Sequence, residues 1–260
     1  MEEKPQKGSG KDRIIVAVDV KTLDEARRIV DRFGEDVGGF KFGLEFLTAL
    51  VVGIVLAENW ENTAKYADRI RSLFRNVSDR LMWDGKFHDI KNTMAGAAGA
   101  LMPIQPMYLT LHASAGKDGM RAVAEKCGVD TMALAVTVLT SLTEDDSEQI
   151  YGAPAREKVR SFAHMAVKAG IRGLVCSALE IEAIRSDPEL AHLHLVVPGT
   201  RSEGVAKGDQ NRIATPYEAI LAGADKLVIG RQLTDPSASF DAVKRLVDEI
   251  DEALVKRAAV

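Results

Sequence analysis

Between about residues 13 and 231, short β-branched, apolar runs alternate with longer stretches in which apolar residues recur three or four apart. That alternation is the pattern of repeated βα units. Arg13–Asp19 (RIIVAVD) is almost wholly apolar, as expected of a strand covered on both faces. Thr22 and Glu25 then form a capping box, and Leu23, Ala26, Val30 and Phe33 follow at helical spacing. Gly39–Gly43 and Arg80–Lys86 read as the second and third strands. Tyr108–Ala113, Met132–Thr137, Gly173–Cys176, Leu193–Val197 and Lys226–Ile229 supply five more. The stretch from Leu44 to about Arg75 is too long for one barrel helix and predicts two, with a break near Glu58–Glu61. Further helices are expected from about Asp89 to Leu101, over Arg156–Ala169, and over Thr215–Ala222. In the last, Thr215 is the N-cap, Pro216 the first helical residue and Glu218 completes a second box. Eight strands, with no linker, fixed repeat or low-complexity tract, favour a single-domain (β/α)8 TIM barrel over an open doubly wound sheet. The barrel is expected over residues 13–260, and residues 1–12 (MEEKPQKGSGKD) as a disordered leader without the apolar core of a signal peptide.

Composition narrows the function. The net charge of -4 supplies no basic excess for a phosphate backbone, so no nucleic-acid partner is expected. A small phosphorylated ligand needs only a local basic pocket. Cys127 and Cys176 lie in apolar runs and read as core thiols of a reducing, cytoplasmic compartment, not as a disulfide or metal site. The longest apolar run, near Leu50–Ala57, is too short for a membrane span. The five histidines show no metal-ligand spacing, and His88 and His112 read as hydrogen-bonded structural residues.

In a barrel of this kind, chemistry sits at the C-terminal ends of the strands. Those positions here are polar: Asp19 at the end of the first strand, Lys41 at the second, Asp84 and Lys86 at the third, then His112, Thr137, Thr140 and Arg231. One charged strand-end residue is usually only a solvated loop residue. Two acids and two lysines converging on one small volume need mutual compensation, which points to use. Asp84 and Lys86 are two apart and share a strand face. The polar loop Pro198–Arg212 is long enough to be a lid or binding segment. Val228–Arg231 (VIGR) places backbone amides and an arginine after strand eight, where barrels frequently hold phosphate.

With these residues in place, the chain resembles a known family. WDGKFHDIKNT (Trp83–Thr93) is similar to the D-x-K-x-x-D-I-x-x-T signature of orotidine 5'-monophosphate decarboxylases. The stretch from Pro198 to Arg231, which contains PGTRSEG, GDQNRIATPYEAILAGAD and VIGR, looks like that family's phosphate loop and last strand. AVD (Ala17–Asp19), KFGLEF (Lys41–Phe46) and VTVLTSLTEDD (Val136–Asp146) fit in order, so the resemblance spans about Arg13 to Phe240. Gly85 stands where a larger apolar residue is common and Lys91 where proline is common, and Leu50–Asn76 matches poorly. The resemblance implies a cytoplasmic enzyme, independent of metal and cofactor, that converts orotidine 5'-monophosphate (OMP) to UMP and CO2 in the last step of pyrimidine nucleotide synthesis. It implies a catalytic array of Lys41, Asp84, Lys86 and Asp89, in a homodimer where Asp89 and Thr93 enter the neighbouring subunit's site. It further implies that Asp19 and Lys41 bind ribose hydroxyls and Thr140 the pyrimidine edge. Gln210, Arg201, Gly230 and Arg231 would hold the phosphate. The alternatives are a Mg2+-dependent sugar-phosphate decarboxylase or aldolase of the same superfamily, or a catalytically silent phosphate-binding barrel. The first carries an acidic metal ligand at the end of strand two, where this chain has Lys41, which would repel a dication.

Overall fold

The computed structural model describes residues 8–202, 214–235, 237–239 and 241–259. Eight parallel strands close into a barrel in chain order: β1 (Ile14–Ala17), β2 (Gly39–Gly43), β3 (Leu81–Phe87), β4 (Tyr108–His112), β5 (Met132–Val136), β6 (Gly173–Val175), β7 (His194–Pro198) and β8 (Lys226–Ile229). The ring shuts where Ile15 pairs with Gly39 on one side and Val228 on the other. Each strand lies within two residues of its sequence expectation at either end. Strand β1 ends at Ala17, so Asp19 belongs to the following loop, although the Val18 amide still donates to the Lys41 carbonyl at 2.8 Å.

The helices follow from the same patterning. Thr22 caps α1 (Leu23–Phe33) by accepting from the Glu25 amide, and Leu23, Ala26, Val30 and Phe33 are the residues it buries. The long helical stretch does divide, into α2 (Leu44–Val55) and α3 (Trp60–Arg75). Asn59 caps α3 by accepting from the Asn62 amide, which starts the second helix within the expected break. Helix α4 (Lys91–Leu101) follows β3, and Pro216–Ala222 carries the complete Thr215–Glu218 capping box.

Alternation along the strands separates two cores. Phe40, Phe42, Leu81, Leu109 and Leu111 face the helices in the larger cluster. Ile15, Ala17, Met82, Tyr108, Leu134, Val196 and Val228 fill the barrel interior. Cys127 and Cys176 are buried free thiols whose pKa values burial raises, Cys127 to about 11. No helix among the described residues is long and apolar enough to cross a membrane.

The leader expected at residues 1–12 lies outside the described residues up to residue 7. Residues 10–13 form a 3-10 turn against the N-terminal end of the barrel. The Gly10 amide donates to Asp251 at 2.6 Å, Lys226 donates to the Asp12 carbonyl, and the Gly38 amide donates to the Ile14 carbonyl at 2.9 Å. A Cβ on Gly38 would lie under 3.0 Å from three backbone atoms of Asp12. Gly38→Ala should therefore displace the turn and cost about 2 kcal/mol, a Tm lower by roughly 4–8 °C in a thermal melt. An unchanged Tm would show that the turn is not seated there.

Candidate active site

Lys41 occupies an inner position of β2, between Phe40 and Phe42, whose rings lock into the outer core. Asp84 and Lys86 share the inner face of β3, where Gly43 is paired with Asp84. At this end of the barrel the side chains form a row of alternating charge. Asp19 Oδ1 is 2.8 Å from Lys41 Nζ, Lys41 Nζ is 3.4 Å from Asp84 Oδ2, and Asp84 Oδ2 is 2.7 Å from Lys86 Nζ. Asp84 is 5% exposed, whereas Asp19 opens to solvent with half its side-chain surface accessible. Gly43 makes room for the row: a Cβ there would sit 3.0 Å from the Lys41 ammonium and 3.2 Å from Asp19 Oδ1.

The order of charges sets their ionisation. Burial alone would push the Asp84 carboxyl up, but the Lys41 and Lys86 ammoniums, with hydrogen bonds from Lys86 and Thr110, hold it below the usual range. Burial alone would pull Lys41 down, but Asp84 and Asp19 reverse this and leave it raised. Asp84 and Lys41 both stay charged at neutral pH because each has opposite charges beside it. His112, at the end of β4, is lowered by burial, by His88 and by Lys86, so it is neutral there. Its ring lies 5.4 Å from that of His88, whose Nε2 is 3.4 Å from the Ser114 hydroxyl.

The remaining expected residues are placed less centrally. Asp89 and Thr93 are exposed, just before α4 and in its first turn. The hydrogen bond recorded for the Asp89 carboxylate is from its own neighbour, the Ile90 amide, at 2.6 Å. Among the described residues Asp89 forms no ion pair with Lys86 of the same chain. Thr140 lies in the turn after β5, half-buried. Arg201 is buried, donates to the Thr200 carbonyl at 2.7 Å, and through its amide closes the base of the long loop on the Ala214 carbonyl at 3.1 Å. Gly230 ends the eighth strand region and precedes the short helix Arg231–Thr234, with Arg231 exposed at its start. Gln210 lies outside the described residues.

Two features escaped the sequence reading. Thr110, fully buried on β4, donates to Asp84 Oδ1 at 2.8 Å and accepts from the Lys86 amide at 3.0 Å. A hydroxyl in the middle of the otherwise apolar YLTL run was its only signal. The base of the loop is also pinned by Ser202, which donates to Glu249 at 2.7 Å and accepts from Gln232 at 2.7 Å. Nothing in the linear spacing joins those three residues.

The array makes a pH-dependent contribution to stability. A carboxyl held below its unfolded pKa stabilises the fold above that pKa and loses the contribution as pH falls through the folded value. Lys41→Met removes the largest coulombic stabilisation of ionised Asp84, so its folded pKa rises and the contribution it makes at neutral pH shrinks. The variant should lie about 3 kcal/mol below wild type in urea unfolding near pH 7, a gap that narrows as the pH falls toward about 4, because Asp84 protonates first in the variant. A gap that stays constant over that range would show that Lys41 and Asp84 are not coupled.

Comparison with known proteins follows the same lines. Residues 12–246 match the model of the orotidine 5'-phosphate decarboxylase / HUMPS family. The chain is 37% identical over 247 residues to an orotidine 5'-phosphate decarboxylase of Rhodospirillum rubrum, covering 91% of this chain and 93% of that protein. It is 38% identical to one from Moorella thermoacetica, covering 93% of each. Among solved structures, the orotidine 5'-phosphate decarboxylase of Lactobacillus acidophilus superposes with a TM-score of 0.70 at 27% identity, covering 92% of this chain and 98% of that one.

Proposed function

The chain belongs to the orotidine 5'-phosphate decarboxylase / HUMPS family, and from that premise we propose that it is a carboxy-lyase converting orotidine 5'-monophosphate to UMP and CO2. The observation that carries this reading is the Asp19–Lys41–Asp84–Lys86 row at the C-terminal end of the barrel. Breaking the bond between C6 and the carboxylate leaves an electron pair in an sp2 orbital that the pyrimidine ring delocalises poorly. Lys86, 31% exposed at the open end of the row, is the ammonium available to stabilise that pair and then deliver its proton to C6. Asp84 holds the Lys86 ammonium at 2.7 Å and opposes the substrate carboxylate until CO2 leaves. Asp19, solvent-facing beside Lys41, suits ribose hydroxyls, and Thr140 suits the pyrimidine edge. Arg201, Gly230 and Arg231 suit the phosphate, a role Gln210 would share. Lys41 stands 2.8 and 3.4 Å from the two carboxylates at the place where a metal-dependent relative would hold its dication, which supports a metal-independent reaction. The two buried thiols support a cytoplasmic setting.

Turnover of orotidine 5'-monophosphate, followed as UMP formation, tests the reading directly. Activity should be unaffected by EDTA, and Lys86→Ala should lower kcat by several orders of magnitude in a folded protein. Lys86→Ala within about tenfold of wild type would remove Lys86 from the chemistry.

A homodimer with shared sites is part of the proposal. Asp89 is exposed and unpaired with Lys86 in its own chain, and its neighbour Ile90 is 72% exposed. Leu44, Val51 and Val55 on α2 and Trp60 at the start of α3 are each more than half exposed as well; exposed apolar surface of this kind supports a covered face. In a two-fold dimer Asp89 and Thr93 would complete the partner's site. Lys86→Ala and Asp89→Asn, each inactive alone, should then rescue each other on subunit exchange. A hybrid carries one site with both lesions and one with neither, so random pairing returns about a quarter of wild-type activity. No recovery after verified exchange would place Asp89 in its own chain's site.

A further inference from the structure

We propose that Thr110 is a positioning residue for the reaction: its buried hydroxyl, inserted between the Asp84 carboxylate and the Lys86 backbone, sets where the Lys86 ammonium stands. The inference rests on the decarboxylase reading but arises from the backbone of β3. Trp83 is paired with Leu109 and Phe87 with Leu111, so the β3–β4 ladder shifts register between them. Three residues, Asp84 to Lys86, face the single residue Thr110. Lys86 absorbs the extra length at φ 45, and with Gln105 it is one of the two non-glycine residues of positive φ among those described. That conformation costs a non-glycine residue roughly 1–2 kcal/mol. The bulge also takes the Lys86 amide out of the ladder.

Thr110 answers both problems with one group. Its oxygen accepts from the Lys86 amide at 3.0 Å, so the displaced N–H is satisfied inside the barrel. Its proton goes to Asp84 Oδ1 at 2.8 Å. With Oδ1 taken, Oδ2 is the oxygen that faces both ammoniums, Lys86 at 2.7 Å and Lys41 at 3.4 Å. The hydroxyl is fully buried, and donor and acceptor roles are both used. Removing it frees the Lys86 backbone to relax and Asp84 to rotate, and both movements displace the ammonium. A misplacement of about 1 Å at a reacting group costs on the order of 100-fold in rate.

The test compares Thr110→Val, which keeps the shape and loses the hydroxyl, with Thr110→Ser, which keeps the hydroxyl. Thr110→Val should lower kcat about 30- to 100-fold while KM and the Kd of UMP change by less than about threefold. The acid limb of its kcat profile should move to higher pH, because the lost hydrogen bond favoured ionised Asp84. The other charged or titratable groups near Asp84, namely Lys41 on β2, Lys86 on β3, His112 at the end of β4, and Asp19 acting through Lys41, are unchanged in the variant. Thr110→Ser should stay within about threefold of wild type. Equal kcat in Thr110→Val and wild type, or a loss that Thr110→Ser shares, overturns the proposal. If Thr110→Val does not fold, Thr110→Ala against Thr110→Ser gives the same comparison. A crystal structure of the hydroxyl-free variant reads the positioning without turnover: Lys86 still at positive φ, with its Asp84 contact intact, would also overturn it. Wild-type protein that leaves orotidine 5'-monophosphate untouched would instead refute the decarboxylase reading.

Discussion

The Asp84 carboxylate is buried near the end of a closed apolar barrel, and much of the site's arrangement follows from keeping it charged there. A lone carboxylate in that position would be neutral, because leaving water costs more than one weak contact returns. Two ammoniums and a hydroxyl surround it instead, Lys41 from β2, Lys86 from β3 and Thr110 from β4. Lys41 is itself too buried to remain protonated without its acids, and Asp19 provides the second. Ionisation is thus a property of the row, and no member can change without moving its neighbours.

Closure of the barrel makes the row possible. Parallel pairing in register sets Gly43 beside Asp84 and leaves, where a side chain would stand, the space that Lys41 and Asp19 share. Below the row the interior is filled by Ile15, Met82, Leu134, Val196 and Val228, which keeps water from solvating the buried acid from beneath. The opposite end has a separate polar floor: Tyr108 bonds His194 at 2.9 Å, and Arg185 pairs with Asp225 at 2.8 Å. Burial lowers the His194 pKa to about 4, so the imidazole in that floor is neutral at pH 7.

Within the charged row, backbone strain enters at Lys86. The shifted register of β3 against β4 puts Lys86 in the left-handed region, a conformation kept only when surrounding contacts over-determine it. Those contacts are the same ones that aim its ammonium, so the backbone irregularity and the chemistry have a common origin. The base of the loop after β7 is held more conventionally, by Arg201 on Ala214 and by the Ser202–Gln232–Glu249 network.

The eight-strand order, the division of the long helical stretch and the capped helices were legible in the sequence, because each depends on local periodicity and on short-range capping chemistry. Asp84 and Lys86 were legible too, since two residues on one strand must share a face. The ionisation of Asp84 was not, because its partners come from strands separated by tens of residues and act through distances that only the closed register creates. Thr110 was hidden for the same reason: a threonine in a strand is unremarkable until a bulge on the neighbouring strand leaves an amide without a partner. Sequence determined which elements form and which residues face inward; tertiary structure decided which inward residues meet, because contact between strands is set by register and closure, and neither is written locally in the chain.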